Sequence, residues 1–148
     1  MISNDTRILI LCTGNSCRSQ IAEGFFRQIL TERSLPKAAK SVRSAGTEQH
    51  GLNPKAVQTM IEVGVDISGH TSDNVRQYLN DHFDFVITVC DAAAEACPIF
   101  PGDVSRLHWP FDDPAKATGS EDEIMAEFHR VRDEIKAKIT AWLDESLR

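Results

Sequence analysis

The chain has 148 residues, of which 41% are hydrophobic and 26% charged, with 16 basic against 22 acidic side chains and a formal net charge of −6. That length suits one folded domain whose core removes roughly 68–70% of the extended-chain surface from water. No apolar stretch approaches the roughly 18 residues of a membrane span, and the acidic balance argues against a nucleic-acid backbone as a partner. If the protein handles an anion, its positive potential must be local.

The opening Met1-Ile2-Ser3-Asn4-Asp5-Thr6 has no basic start followed by an apolar core, so the expected compartment is the cytosol. Ile8-Leu9-Ile10-Leu11 then reads as a parallel strand covered on both faces. Ile21, Phe25 and Ile29 recur every four residues and mark a helix, opened by Ser19. Ser41-Val42-Arg43-Ser44 is a weaker strand. Asn53 and Pro54 supply the cap and first turn of a helix carrying Val57, Met60 and Ile61 and ending before Gly64. A third helix is expected from Thr71 to Leu79. Phe85-Val86-Ile87-Thr88-Val89 is another buried strand, and Val104-Ser105-Arg106-Leu107 a fourth. Ser120 with Glu123 forms a capping box before a stripe of Ile124, Phe128, Val131, Ile135, Ile139 and Trp142. Repeats and linkers are absent. The pattern predicts a single α/β domain over residues 1–148 with about four parallel strands, whose ligands bind beyond the carboxyl ends of the strands.

Four cysteines in a cytosolic chain are poor material for a static disulfide framework. Cys12 and Cys17, or Cys90 and Cys97, also lack convincing zinc spacing, so no metal is expected. Inert buried thiols, or redox and nucleophilic ones, remain. The first strand runs into Cys12-Thr13-Gly14-Asn15-Ser16-Cys17-Arg18-Ser19 and then a helix. Five residues between Cys12 and Arg18 can curl so that their N–H groups point inward, making a nest for a tetrahedral oxyanion above a helix N-terminus. Arg18 can close it with a bidentate fork, and the same field favours the thiolate of Cys12. Gly14 and Asn15 suit unusual backbone angles. Cys17 contributes its backbone alone.

That loop, together with Ala22-Glu23-Gly24, Ser44-Ala45-Gly46, Asp66-Ile67-Ser68 and Phe111-Asp112-Asp113-Pro114, resembles the low-molecular-weight protein tyrosine phosphatases and the arsenate reductases built on their fold. The resemblance runs almost the whole chain. It implies a single three-layer domain with a four-stranded parallel sheet flanked by helices, Cys12 as nucleophile, the loop residues Thr13, Gly14, Asn15, Ser16, Cys17 and Ser19 as oxyanion binders, and Asp113 as general acid. Asp112-Asp113-Pro114 is by composition also an ordinary turn.

Phosphatase and reductase part after the first attack. A reductase needs further thiols, and Cys90 and Cys97 could supply them, although cysteine is also a common buried filler. Cys90-Asp91 and Cys97-Pro98-Ile99 resemble the thioredoxin-coupled arsenate reductases. Gln20 and Ala115 stand where phosphatases of the family carry proline and tyrosine. The reading is therefore an arsenate reductase with no cofactor, binding arsenate (phosphate or sulfate as mimics) and passing electrons from thioredoxin through Cys97, Cys90 and Cys12. It is expected to act as a monomer, away from membranes. A phosphatase with incidental cysteines, or a non-catalytic oxyanion and redox sensor, are the alternatives. A glutaredoxin-type donor, and a monovalent cation beside Asn15 and Glu23, stay open. His50, His70, His82, His108 and His129 read as ordinary surface or hydrogen-bonded residues, and Trp109 and Trp142 as packing.

Overall fold

A computed structural model describes residues 2–147. In chain order it contains β1 (Ile8–Cys12), α1 (Arg18–Glu32), α2 (Pro36–Ser41), β2 (Arg43–Gly46), α3 (Pro54–Ile61), β3 (Phe85–Thr88), α4 (Asp91–Glu95), β4 (Ser105–His108) and α5 (Glu121–Ser146). Short 3₁₀ turns lie at Val75–Tyr78 and Pro114–Lys116. The four strands form one parallel sheet in the order β2-β1-β3-β4. Ile8 to Leu11 are sealed from solvent, as a doubly covered parallel strand requires. Among the described residues no helix is long and apolar enough to cross a membrane.

The longest helix is fixed at its start by chemistry visible in its first residues. Ser120 Oγ accepts from Glu123 N–H while the Glu123 carboxylate accepts from Ser120 N–H, and Glu121, Asp122 and Glu123 complement the helix dipole. Phe128, Val131, Ile135, Ile139 and Leu143 form its buried stripe. Trp142 joins an aromatic cluster instead, edge-on to Phe85 at 4.9 Å and to Trp109 at 5.6 Å, with Trp109 stacked on Phe26 at 6.2 Å. This cluster anchors the chain where it leaves β4, and so fixes the start of the segment that carries Asp113.

Several elements differ from expectation. The segment from Thr71 to Leu79 is not a helix beyond its short 3₁₀ turn, because its backbone is committed elsewhere. Thr71 O accepts from Gln20, Asp73 N–H donates to Asn15, and Asp73 O accepts from Gly46 N–H. Asn74 forms an isolated parallel bridge with Gly46. The second strand is shifted to Arg43–Gly46, since Pro36 at a first helical position starts α2 and that helix consumes Ser41. The fourth strand ends one residue later, at His108. The first helix opens at Arg18, ahead of Ser19. Ile61 is exposed, and Ala56, Thr59 and Met60 make the inner face of α3.

Candidate active site

Cys12 is the last residue of β1 and Cys90 follows β3, its immediate neighbour in the sheet. Leu11 is level with Thr88, so both thiols emerge at the same carboxyl edge. They are near enough for each to shift the other's ionisation, and Thr13 Oγ1 lies 3.3 Å from Cys90 Sγ.

The loop from Cys12 to Cys17 owes its shape to the segment after β2. Thr47, Glu48, His50 and Asn53 donate their N–H groups to the carbonyls of Cys12, Thr13, Gly14 and Ser16, the last three at 2.9–3.0 Å. Gln20 Nε2 takes the Asn15 carbonyl at 3.0 Å, and Ile21 N–H takes that of Cys17. Every carbonyl of the loop is thereby held outward. Among the described residues, none of the N–H groups of Asn15, Ser16 or Cys17 donates to a protein oxygen outside regular elements. Ser16 and Cys17 border a cleft of about 250 Å³ lined also by Cys12, Gly14, Arg18, His50, Asp113 and Lys116. Helix α1 starts at this cleft with no capping side chain and no acid in its first turn, unlike α5. An uncapped N-terminus with free N–H groups is an anion site.

Asn15 sits at φ +47° and is fully buried. Its side chain turns away from the cleft, donating to Ser19 Oγ and Ser44 Oγ at 2.9 Å and accepting from Asp73 N–H at 2.7 Å. It therefore serves the nest through its backbone, with its amide as the internal brace. Ser19 belongs to the same brace. Behind it, Glu23 accepts from Ser44 at 2.7 Å and from Arg27 at 3.0 Å, with His70 Nε2 at 3.5 Å. His70 Nδ1 meets Gln20 at 3.0 Å. Protein donors thus occupy the Glu23 carboxylate that the sequence left as a candidate cation ligand. A larger open cleft of about 530 Å³, bordered by Glu23, Arg43 and Tyr78, lies on this side and holds none of the thiols.

Arg18 Nη1 donates to Phe111 O at 3.1 Å and Nη2 lies 3.6 Å from the Asp113 carboxylate, which also caps the following turn through Ala115 N–H. Arg18 Nε is buried without a protein partner, a donor that an oxyanion in the nest would satisfy. The interaction between the two thiols pulls Cys90 down to about 5 and, with burial, holds Cys12 well above an ordinary thiol, while Arg18 draws both toward thiolate. Cys17 is pushed up to about 12 by burial and then by Asp113, the form in which a thiol is inert. Cys97 lies beyond α4, half-buried, its thiol facing Pro98 O. The structure does not bring it to Cys12. His50 and Lys116 border the cleft and were not singled out by sequence. Their neighbours there come from remote segments, and no local pattern marks them.

This geometry has relatives. The family model for low molecular weight phosphotyrosine protein phosphatases matches residues 7–148, and the chain belongs to that family. Within it, the chain is 54% identical over 132 residues to an arsenate reductase of Shouchella clausii, covering 89% of this chain and 91% of that protein. It is 53% identical over 128 residues to an arsenate reductase of Bacillus subtilis, covering 86% and 88%. A solved arsenate reductase in a phosphate-binding state superposes with a TM-score of 0.76 at 30% identity, over 95% of this chain and 98% of that one.

Proposed function

We propose that this chain reduces arsenate to arsenite, with Cys12 as nucleophile and Cys90 and Cys97 as the relay that carries the resulting oxidation to thioredoxin. One observation carries the reading: a second thiol, Cys90, stands beside the nucleophile at the same sheet edge, its sulfur 3.3 Å from Thr13 Oγ1 of the nest. Hydrolysis has no use for it. Among the described residues no Phe, Tyr or Trp lines the cleft, which also supports reduction over aryl-phosphate hydrolysis. Ala115 and Lys116 border the mouth, and Tyr78 faces the other cleft with its hydroxyl on Asp73 at 2.9 Å.

Arsenate, tetrahedral and anionic like phosphate, enters the nest and takes the free N–H groups and the Arg18 fork. Cys12, as thiolate after yielding its proton to the neighbouring Cys90 thiolate, attacks arsenic, and Asp113 protonates the departing oxygen. Cys90 then attacks the Cys12 sulfur. Arsenic leaves as arsenite with the electron pair of the broken S–As bond, and the two sulfurs are oxidised to a disulfide. Cys97 next attacks Cys90, releasing Cys12 as thiolate and leaving Cys90–Cys97 for two-electron reduction by thioredoxin. Three thiols free of static pairing suit a reducing compartment, the cytosol.

Segment 90–97 must change shape. Helix α4 (Asp91–Glu95) stands between the two cysteines; were all seven steps helical, at about 1.5 Å each they would separate the Cα atoms by roughly 10.5 Å, whereas a disulfide tolerates no more than about 7 Å. The test is single turnover without thioredoxin. Cys97→Ser should release about one arsenite per chain and stall as Cys12–Cys90, and Cys12→Ser should release none. Sustained thioredoxin-driven turnover by Cys97→Ser would overturn its assigned role, and arsenite from Cys12→Ser would overturn the mechanism.

A further inference from the structure

Strand β4 lies at the edge of the sheet, and Arg106 and His108, two residues apart, share one of its faces. Their side chains hold opposite ends of the segment between Cys90 and Cys97. At one end His108 Nε2 meets Asp91 Oδ1 at 2.8 Å, and Asp91 is the first residue of α4. A carboxylate only accepts, so Nε2 carries the proton. His108 Nδ1 is 2.8 Å from Thr88 Oγ1, directly across the ladder, which fixes the ring from its other side. At the far end Arg106 Nη2 donates to Pro98 O at 3.0 Å, the carbonyl that the Cys97 thiol also approaches. The guanidinium there offsets part of the upward push that burial gives Cys97.

We propose that Arg106 and His108 are positioning residues that clamp the Cys90–Cys97 segment at both ends in its dithiol form, so that the second disulfide forms only as the clamp opens. The proposal rests on the relay described above. With Asp91 on His108 and Pro98 on Arg106, α4 keeps Cys97 away from Cys90. This leaves Cys90 turned to Cys12 for the first exchange. Once Cys12–Cys90 has formed, the Cys97 thiolate attacks the Cys90 sulfur, the Cys12–Cys90 bond breaks with the electron pair leaving on Cys12, and α4 uncoils. Asp91 is largely exposed, so the contact is a modest one that can open and close within turnover.

The test isolates the second couple. In a Cys12→Ser background, Cys90 and Cys97 are equilibrated with reduced and oxidised dithiothreitol. Each disulfide formed passes two electrons and two protons to one oxidised dithiothreitol, and the fraction is read by mass after alkylation. His108→Gln and Asp91→Asn should each raise the oxidation constant about two- to fivefold, the range an exposed charge-assisted pair controls. The double variant should add nothing further. Arg106→Gln should also favour the disulfide yet slow alkylation of Cys97, with Arg106→Lys restoring the alkylation rate. His129→Gln, which breaks a similar His–carboxylate pair (to Glu62, at 2.7 Å) far from the thiols, should leave the constant unchanged. Equal constants in the parent, His108→Gln and Arg106→Gln would overturn the clamp while leaving the relay standing, as would an equal shift in His129→Gln. Failure of the parent to form Cys90–Cys97 at any poise would overturn both.

Discussion

Gly46 closes β2 directly beneath the nest, and replacing it by alanine tests whether the loop is positioned by backbone contact. A Cβ there would lie 2.5 Å from Thr13 O and 2.7 Å from Asn15 N, both backbone atoms of the oxyanion loop. Ordinary C···O contacts begin near about 3.3 Å, so the loop must retreat by roughly 0.8 Å. Misplacement of a reacting centre by about 1 Å costs on the order of 10²-fold in rate. Gly46→Ala should therefore lower kcat/KM for arsenate by about 10- to 100-fold. The strain itself costs about 1–3 kcal/mol of stability, which leaves the fold intact by circular dichroism. Gly14→Ala is the comparison. The atoms met there belong to the His50 side chain, and His50 is exposed enough to rotate, so its loss should be several-fold smaller. The assay is arsenate-dependent NADPH oxidation coupled through thioredoxin and its reductase. Activity of Gly46→Ala within threefold of the parent, or at or above that of Gly14→Ala, would refute the positioning argument.

Two further outcomes follow from the charges at the site. With Cys90 held down to about 5, iodoacetamide should label it at pH 6 and fail to do so only as pH falls through about 5, whereas an ordinary thiol is roughly 0.3% thiolate at pH 6. Cys17, held near 12, should stay unlabelled until the protein unfolds; a labelling midpoint between pH 8 and 9 for Cys90 would contradict this picture. Lys116 has no carboxylate partner among the described residues and borders the cleft of an acidic protein. Lys116→Glu should raise KM for arsenate about three- to tenfold at low ionic strength with little change in kcat, the effect shrinking as salt screens it. A KM penalty independent of salt would remove Lys116 from substrate attraction.

Much of the site could be read from short-range pattern. The unbroken apolar runs at Ile8 and Phe85 placed the two central strands, and the loop from Cys12 to Arg18 at a strand–helix junction carried the nest. The capping box at Ser120 located α5. What escaped was decided by partners distant in sequence. Thr71 to Asp73 carry helix-compatible residues, yet Gln20, Asn15 and Gly46 take their backbone groups, and local propensity says nothing of that. Asn15 was legible as a residue of unusual backbone angle. Its service as the brace between Ser19, Ser44 and Asp73 was not. His108 read as an ordinary hydrogen-bonded histidine, and its significance lies in which ends of which segment its two nitrogens touch.

The strand order β2-β1-β3-β4 has a directional consequence. Adjacent strands are about 4.8 Å apart, so under the proposed relay the sulfurs at the ends of β1 and β3 can meet without rearrangement of the sheet, and the exchange that expels arsenite demands little motion. The costly uncoiling is deferred to the next exchange, by which time the product has gone. Ordering the steps in this way makes the cycle a ratchet: the chain spends its flexibility only after the toxic atom has been turned over and cannot be taken back.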